Sequence, residues 1–154
     1  MSDAPVVVAM DDQDDHAIDL DRWSALARRV LHDEAIPGPA ELNLTFIGRD
    51  EMTELNVEHM GGTGPTDVLS FPIDPFPEPG LPPDQPRLLG DIMICPTIVH
   101  GQAPGDPDEE MALMVVHGVL HLRGFEHDRA VSAERMEQRE REILAEFGYA
   151  DPYA

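Results

Sequence analysis

Residues 116–128 read Val-His-Gly-Val-Leu-His-Leu-Arg-Gly-Phe-Glu-His-Asp, and the rest of the chain is organised around this stretch. If the stretch is helical up to about Arg123, His117 and His121 stand four residues apart and project from one face of the helix. Gly124 can take the left-handed conformation that ends a helix, so the chain can turn and bring His127 toward the same point. The spacing therefore predicts a metal site made of three histidines.

Three neutral imidazoles leave a tetrahedral zinc ion with one position open to water, which is typical of hydrolytic centres. Copper, nickel or iron could occupy the same ligands. The spacing also matches the metzincin pattern H-E-x-x-H-x-x-G-x-x-H, except that Gly118 stands where a metalloprotease carries its glutamate. Because glycine cannot accept a proton, peptide hydrolysis by the usual route is not expected. The alternative is that the histidines are ordinary packed or solvated helix residues.

Length and charge limit the classes of protein that fit. A chain of 154 residues predicts a single domain over residues 1–154. The formal net charge of −21, with 31 acidic and 10 basic residues, predicts repulsion of polyanions, so any nucleic acid must bind through a local patch. The stretch Met1 to Met10 predicts neither a signal peptide nor a membrane span, and the expected location is cytoplasmic. The single Cys95 excludes an internal disulfide and is predicted to be buried and inert.

Hydrophobic periodicity predicts alternating strands and helices. Strands are expected at residues 6–10, 41–48, 68–71 and 88–95. Helices are expected at 19–31, with Trp23 in the core, at a short segment capped by Asp50, at 108–123 and at 130–147. In the last of these helices Phe147 is expected to be buried, and the abundant Glu and Arg residues are expected to face solvent. The proline-rich loop over residues 72–87 holds seven prolines between Pro72 and Pro86, which favours a surface excursion or a mobile lid. Asp91 is the one charge in an apolar strand, so it lies at a strand edge or orients a partner such as a metal-ligating histidine.

Three segments together resemble the YbeY family of endoribonucleases, the bacterial ribosomal-RNA maturation factors. Residues 117–128 resemble the family signature H-G-x-L-H-L-x-G-[YF]-x-H-D. Residues 65–72, Pro-Thr-Asp-Val-Leu-Ser-Phe-Pro, resemble the second signature, and residues 89–95, Leu-Gly-Asp-Ile-Met-Ile-Cys, resemble the strand L-G-D-I-x-I-[SC]. The order and spacing of all three agree, and the resemblance covers nearly the whole chain.

The resemblance implies an α/β fold, with a small mixed sheet of four strands covered by about five helices. It also implies one zinc ion on His117, His121 and His127, through which these residues act in catalysis, with Asp91 and Ser70 as further candidates. The implied activity is single-strand-directed RNA cleavage in late 16S ribosomal RNA 3′-end maturation and ribosome quality control. The implied partners are ribosomal RNA and the small ribosomal subunit, with ribosomal proteins or an assembly GTPase as additional candidates.

The chain departs from the family at one position. Many members carry an arginine five residues before the proline of the second signature, where it could bind a phosphate, and this chain has Met60. Methionine cannot supply the bidentate contact of a guanidinium. His59, Arg123 and Arg129 are candidates to bind substrate in its place, although each could be an ordinary surface residue.

The predicted chemistry is attack on phosphorus by a zinc-activated water, which needs no carboxylate base at position 118. Attack by the RNA 2′-hydroxyl is an open alternative. Glu126 and Asp128 could orient a histidine, and Asp128 could instead cap the last helix. Two other functions remain open: a non-catalytic ribosome assembly factor with a structural zinc, and a metal-dependent hydrolase of another substrate.

Overall fold

The computed structural model describes residues 4–36, 39–73, 87–123 and 130–153. Within these ranges lie four strands and five helices. The strands are β1 (Val6–Asp12), β2 (Ala40–Ile47), β3 (Val68–Pro72) and β4 (Arg87–Ile94). The helices are α1 (Leu20–Asp33), α2 (Arg49–Met60), α3 (Pro96–Gln102), α4 (Pro107–Arg123) and α5 (Ala130–Glu146).

The four strands form one mixed sheet in the order β1-β2-β4-β3. β1 and β4 both pair with β2 in parallel, and β3 pairs with β4 in antiparallel register. The α/β class, the mixed four-stranded sheet and the total of about five helices that the family resemblance implies are confirmed. No helix within the described ranges is long and apolar enough to cross a membrane.

Local sequence explains most of these elements. β2 buries Leu42, Leu44 and Phe46 and leaves the alternate residues half-buried, as its period of two predicts. α1 begins after Asp19, whose carboxylate accepts a hydrogen bond from the Arg22 backbone N–H at 3.1 Å. Trp23 on α1 is 3% exposed, so its predicted place in the core is confirmed.

Some local predictions were wrong. Asp50 does not cap α2, because the helix begins one residue earlier and its N-cap is Gly48. The seven-residue helix α3 was not predicted, since its short length gives too few turns for a periodic pattern. Phe147, predicted to be buried, is 40% exposed because α5 ends at Glu146 and the chain turns at Gly148 with a φ of 80°.

The helix α4 lies at the centre of the packing and contacts α1, α3, α5, β3 and β4. Six of its apolar residues are 0–2% exposed: Met111, Ala112, Val115, Val116, Val119 and Leu120. Such a helix is apolar on most of its surface because neighbours surround it. It therefore holds its polar residues, His117 and His121 among them, in fixed positions relative to the sheet.

Candidate active site

His117 and His121 form the centre of the candidate site on the last two turns of α4. Their Nε2 atoms lie 3.0 Å apart, and the rings meet edge to face with centroids 4.5 Å apart. Two imidazole nitrogens at this distance cannot both present a lone pair to the other, so a hydrogen or a cation must lie between them. The helical spacing of four residues thus brings the two imidazoles to one point, as the sequence predicts.

The two histidines fit a zinc ion. Zn–N bonds of about 2.0–2.1 Å in tetrahedral geometry place two ligand nitrogens roughly 3.3 Å apart. The observed separation of 3.0 Å is close to this value, and only a small rotation of either ring would match it. Imidazole is also a donor that zinc prefers.

The third predicted ligand, His127, lies outside the described residues, as do Gly124, Glu126, Asp128 and Arg129. Within the described ranges, no group of three His, Cys, Asp or Glu side chains could hold a metal ion. The three-histidine site therefore stays a prediction, of which the structure describes two members.

A cavity of about 440 Å³ opens beside the two histidines, within the size range of ligand pockets. Strand β3 supplies one wall and the end of α4 supplies the other. The lining residues are Met60, Asp67, Val68, Leu69, Ser70, Pro72, His117 and His121. The cavity therefore brings two residues together with the histidine pair: the catalytic candidate Ser70, and Met60, which stands where many family members carry arginine.

Ser70 joins the two walls of this cavity. Its hydroxyl donates a hydrogen bond to the backbone carbonyl of Gly118 at 3.1 Å. This bond links β3 to the turn of α4 that carries the histidines, so it fixes the distance between the walls. A direct catalytic role for Ser70 stays a prediction.

Gly118 is buried where α4 crosses β4. A Cβ atom at this position would lie 2.8 Å from Ile92 Cγ2 and 3.2 Å from Ile92 Cδ1. Side chains essentially never approach so closely, so helix and strand can be this near only with glycine here. The structure therefore gives a packing reason for the absence of the protease glutamate.

Asp91 lies in the middle of β4, an interior strand, so of the two predicted alternatives the position at a strand edge is wrong. Its Oδ1 accepts a hydrogen bond from Asn43 Nδ2 on β2 at 2.9 Å. Successive side chains of a strand point to opposite faces, and the next residue, Ile92, faces α4. Asp91 therefore points away from the face that carries the histidines, and its partner among the described residues is an amide. A part for Asp91 in catalysis stays a prediction.

Two further substrate-binding candidates are His59 and Arg123, and His59 is not among the described residues that line the cavity. His59, on the last turn of α2, is half-exposed and packs edge to face on Phe71 of β3, with ring centroids 5.4 Å apart. Arg123 is the last residue of α4, and its side chain lies outside what the structure describes. Their roles in binding substrate stay predictions.

Two residues that sequence analysis did not single out contact the site. Glu140 on α5 is 1% exposed, and its Oε2 lies 3.1 Å from His117 Nδ1. Tyr153 donates its hydroxyl to Glu140 Oε1 at 2.7 Å. Burial, followed by the bond to Glu140, raises the pKa of Tyr153, so the phenol stays protonated. Charged residues of α5 were predicted to face solvent, and for Glu140 this was wrong.

Cys95 follows β4 and is completely buried, as predicted. Burial raises the pKa of its thiol, which disfavours the reactive thiolate. It lies apart from the lining of the cavity.

The fold and the site define an α/β protein with a paired-histidine centre in the wall of a ligand-sized cavity. The model of the family described as endoribonuclease YbeY matches residues 9–148. The chain is 41% identical over 137 residues to endoribonuclease YbeY of Dichelobacter nodosus, covering 87% of this chain and 83% of the relative. It is 43% identical over 141 residues to that of Chromohalobacter salexigens, covering 88% and 85%.

The chain belongs to the YbeY family, whose members are named as endoribonucleases, hydrolases of RNA phosphodiester bonds. A solved solution structure of a Thermotoga maritima protein is similar in fold, with a TM-score of 0.59 and 24% identity over 96% of this chain and 98% of that one. This likeness bears on the fold alone.

Proposed function

We propose that the chain is a zinc-dependent, single-strand-directed endoribonuclease of the cytoplasm. We place it in late maturation of the 16S ribosomal RNA 3′ end and in ribosome quality control. Family membership supports the reaction class. The observation that carries the proposal is the pair of imidazole nitrogens 3.0 Å apart beside a cavity of about 440 Å³.

In this proposal His117 and His121 hold the zinc ion together with His127. When bound, zinc supplies an acidified water and polarises a phosphoryl oxygen. Gly118 keeps α4 close to the sheet, and Ser70 holds β3 against it, so the ligand-bearing turn keeps a fixed distance from the opposite wall.

Charge makes the metal important for substrate binding as well. The chain carries a net charge of −21, and Asp67 adds a carboxylate to the cavity lining. A phosphodiester approaching this surface is repelled unless a local cation offsets the field. We propose the zinc ion as that cation, with His59, Arg123 and Arg129 as further contacts. Ribosomal RNA and the small subunit, with ribosomal proteins or an assembly GTPase, are the proposed partners.

The test compares the wild-type protein with a His117→Ala variant on structured ribosomal RNA, at defined zinc content. His32→Ala is the matched control, because His32 is a 79% exposed histidine on α1. We expect cleavage by the wild type and by the control, and a loss of at least about 100-fold in His117→Ala, because the metal supplies both nucleophile and charge. Equal cleavage by His117→Ala would point to a contaminating nuclease and contradict the proposal.

A second candidate is a ribosome assembly factor in which the metal only fastens α4 to the chain that follows. Two observations favour it: the charge of −21, and Met60, which is 50% exposed and lines the cavity where many family members carry arginine. Absence of cleavage by the wild type, with normal ribosomal RNA processing in a deletion strain supplied with either wild type or His117→Ala, would favour this function.

The Met60→Arg variant gives a second test between the endoribonuclease and the assembly factor, because it adds a group that can bind phosphate. A guanidinium at this place gives a bidentate, charge-assisted phosphate contact, for which we expect roughly tenfold tighter RNA binding and a lower KM. Val57→Arg is the matched control, since Val57 is 50% exposed on the same helix and does not line the cavity. Equal gains in both variants would show a non-specific effect of charge.

A further inference from the structure

Glu140 is a buried carboxylate that the proposed chemistry does not use. At 1% exposure it is the least exposed of the charged residues that the structure describes. Removing a carboxylate from water is unfavourable unless hydrogen bonds replace its hydration. The contacts of Glu140 therefore indicate why the chain keeps an acid at this position.

Both oxygens of Glu140 have a partner. Oε2 meets His117 Nδ1 at 3.1 Å, and Oε1 accepts the hydroxyl of Tyr153 at 2.7 Å. An ionised carboxylate can only accept hydrogen bonds, so the hydrogen at the first contact belongs to the imidazole. A neutral imidazole carries one N–H, and Nε2 of His117 is then left with its lone pair directed toward His121 Nε2.

Tyr153 is itself held by a neighbouring guanidinium. The guanidinium of Arg141 lies over its ring at 5.3 Å from the centroid, and Arg141 also pairs with Asp151 at 3.1 Å. These contacts tie residues 151–153 to α5. The hydroxyl of Tyr153 is thus kept at the second oxygen of Glu140, and it restricts rotation of the carboxylate.

We propose that Glu140 is a positioning residue that fixes His117 in its Nδ1–H tautomer, so that the Nε2 lone pair, which points toward His121 here, is the one that binds a metal ion, and that Tyr153 holds Glu140 in place for this task. The tautomer part stands on the hydrogen-bond geometry alone. The metal part rests on the proposed function, so the two parts are measured separately.

The first measurement is the tautomer of His117 in the metal-free, full-length protein, from ¹⁵N chemical shifts of the imidazole at a pH where the ring is neutral. We expect the Nδ1–H form in the wild type and in Glu134→Gln, a control on an exposed position of the same helix. Glu140→Met removes both acceptor oxygens at similar volume, and we expect the Nε2–H form to become populated. The Nε2–H form in the wild type would overturn the proposal, and this test needs no variant to fold.

The second measurement is zinc affinity by competition with a chromophoric chelator. We expect Glu140→Met to bind zinc about 10–100-fold more weakly than the wild type, as is usual when the carboxylate behind a ligating histidine is lost. Glu140→Gln keeps an acceptor oxygen without the charge and should lie between them, and Tyr153→Phe should weaken binding by a smaller factor. Glu134→Gln should bind as the wild type does.

The outcomes distinguish the proposals. Unchanged zinc affinity and unchanged tautomer in folded Glu140→Met and Glu140→Gln would overturn the positioning role while leaving the zinc site intact. A wild type that binds no zinc but shows the Nδ1–H tautomer would contradict the proposed function and support the hydrogen-bond assignment.

Discussion

The contact between Gly118 and Ile92 gives a prediction whose sign depends on the background. In a free helix, Gly118→Ala would stabilise by about 1 kcal/mol, because alanine has the higher helix propensity. Here the new Cβ would lie 2.8 Å from Ile92 Cγ2. Overpacking of this kind costs about 1–3 kcal/mol. We therefore expect a net loss of about 0–2 kcal/mol in the wild-type background.

Ile92→Ala removes the atoms that Cβ would meet at 2.8, 3.2 and 3.4 Å. In that background only the helix-propensity term remains, so Gly118→Ala should stabilise by about 1 kcal/mol. The difference between the two backgrounds isolates the overpacking cost. Gly101→Ala on α3 is the matched control, since a Cβ there meets nothing within 4 Å and should not destabilise.

The assay is urea unfolding of the wild type, the two single variants Gly118→Ala and Ile92→Ala, the double variant and the control. A chelator is present, so that metal binding does not add to stability. Trp23 is the one tryptophan and is 3% exposed, so its fluorescence reports loss of the core. A gain of about 1 kcal/mol from Gly118→Ala in both backgrounds would refute the close approach of α4 to β4. It would also remove the packing reason for glycine at the position where proteases carry glutamate.

Three further predictions concern stability. Gly90 has a φ of 147°, and a Cβ there would lie 2.3 Å from the Phe71 carbonyl oxygen, so Gly90→Ala should cost more than about 2 kcal/mol in urea unfolding; a cost below that would contradict the strand geometry. Arg139→Ala should lower the free energy of unfolding by about 1–3 kcal/mol, because it leaves the 7% exposed carboxylate of Glu34 without its partner at 2.6 Å. The double variant Arg139→Ala/Glu34→Gln should recover most of this loss, and no recovery would contradict the explanation. Burial raises the pKa of the Cys95 thiol, so the folded state keeps its proton while the unfolded state loses it; wild-type stability relative to Cys95→Ala should fall between about pH 8 and pH 10, and a flat difference would contradict this.

Features set by neighbours in sequence were predictable. The pairing of His117 with His121 follows from one helical turn, and the alternation in β2 follows from the pleat of a strand. Both depend on distances along the chain that the backbone geometry fixes. The proximity of the two imidazoles therefore requires no tertiary contact to predict.

The role of Glu140 depends on contacts that the sequence does not encode locally. It lies 23 residues from His117, and the packing of α5 on α4 brings the two together. One signal was nevertheless present. Glu140 falls on the stripe of Met136, Ile143 and Leu144, all at most 1% exposed, at the spacing of three to four residues that marks the buried face of a helix. An acid on such a stripe needs a partner, and His117 is that partner.

The position of Asp91 in the sheet could not be predicted from the sequence pattern. Its single charge in an apolar strand correctly indicated a need for a partner, but the choice between edge and interior depends on strand order. Strand order is set by how the connections cross the sheet, and period-two patterns carry no information about it.

The order β1-β2-β4-β3 has a consequence for the path by which the chain folds. In the described sheet β3 pairs with β4 alone, although β4 comes later in the chain. A nascent chain that ends before residue 87 therefore has no strand for β3 to join. Since β4 is the one described partner of β3, we expect the amides of Val68 to Ser70 to be protected no earlier than those of β4 when refolding of the full chain is followed by pulsed hydrogen exchange. Earlier protection of β3 amides than of β4 amides would contradict this order.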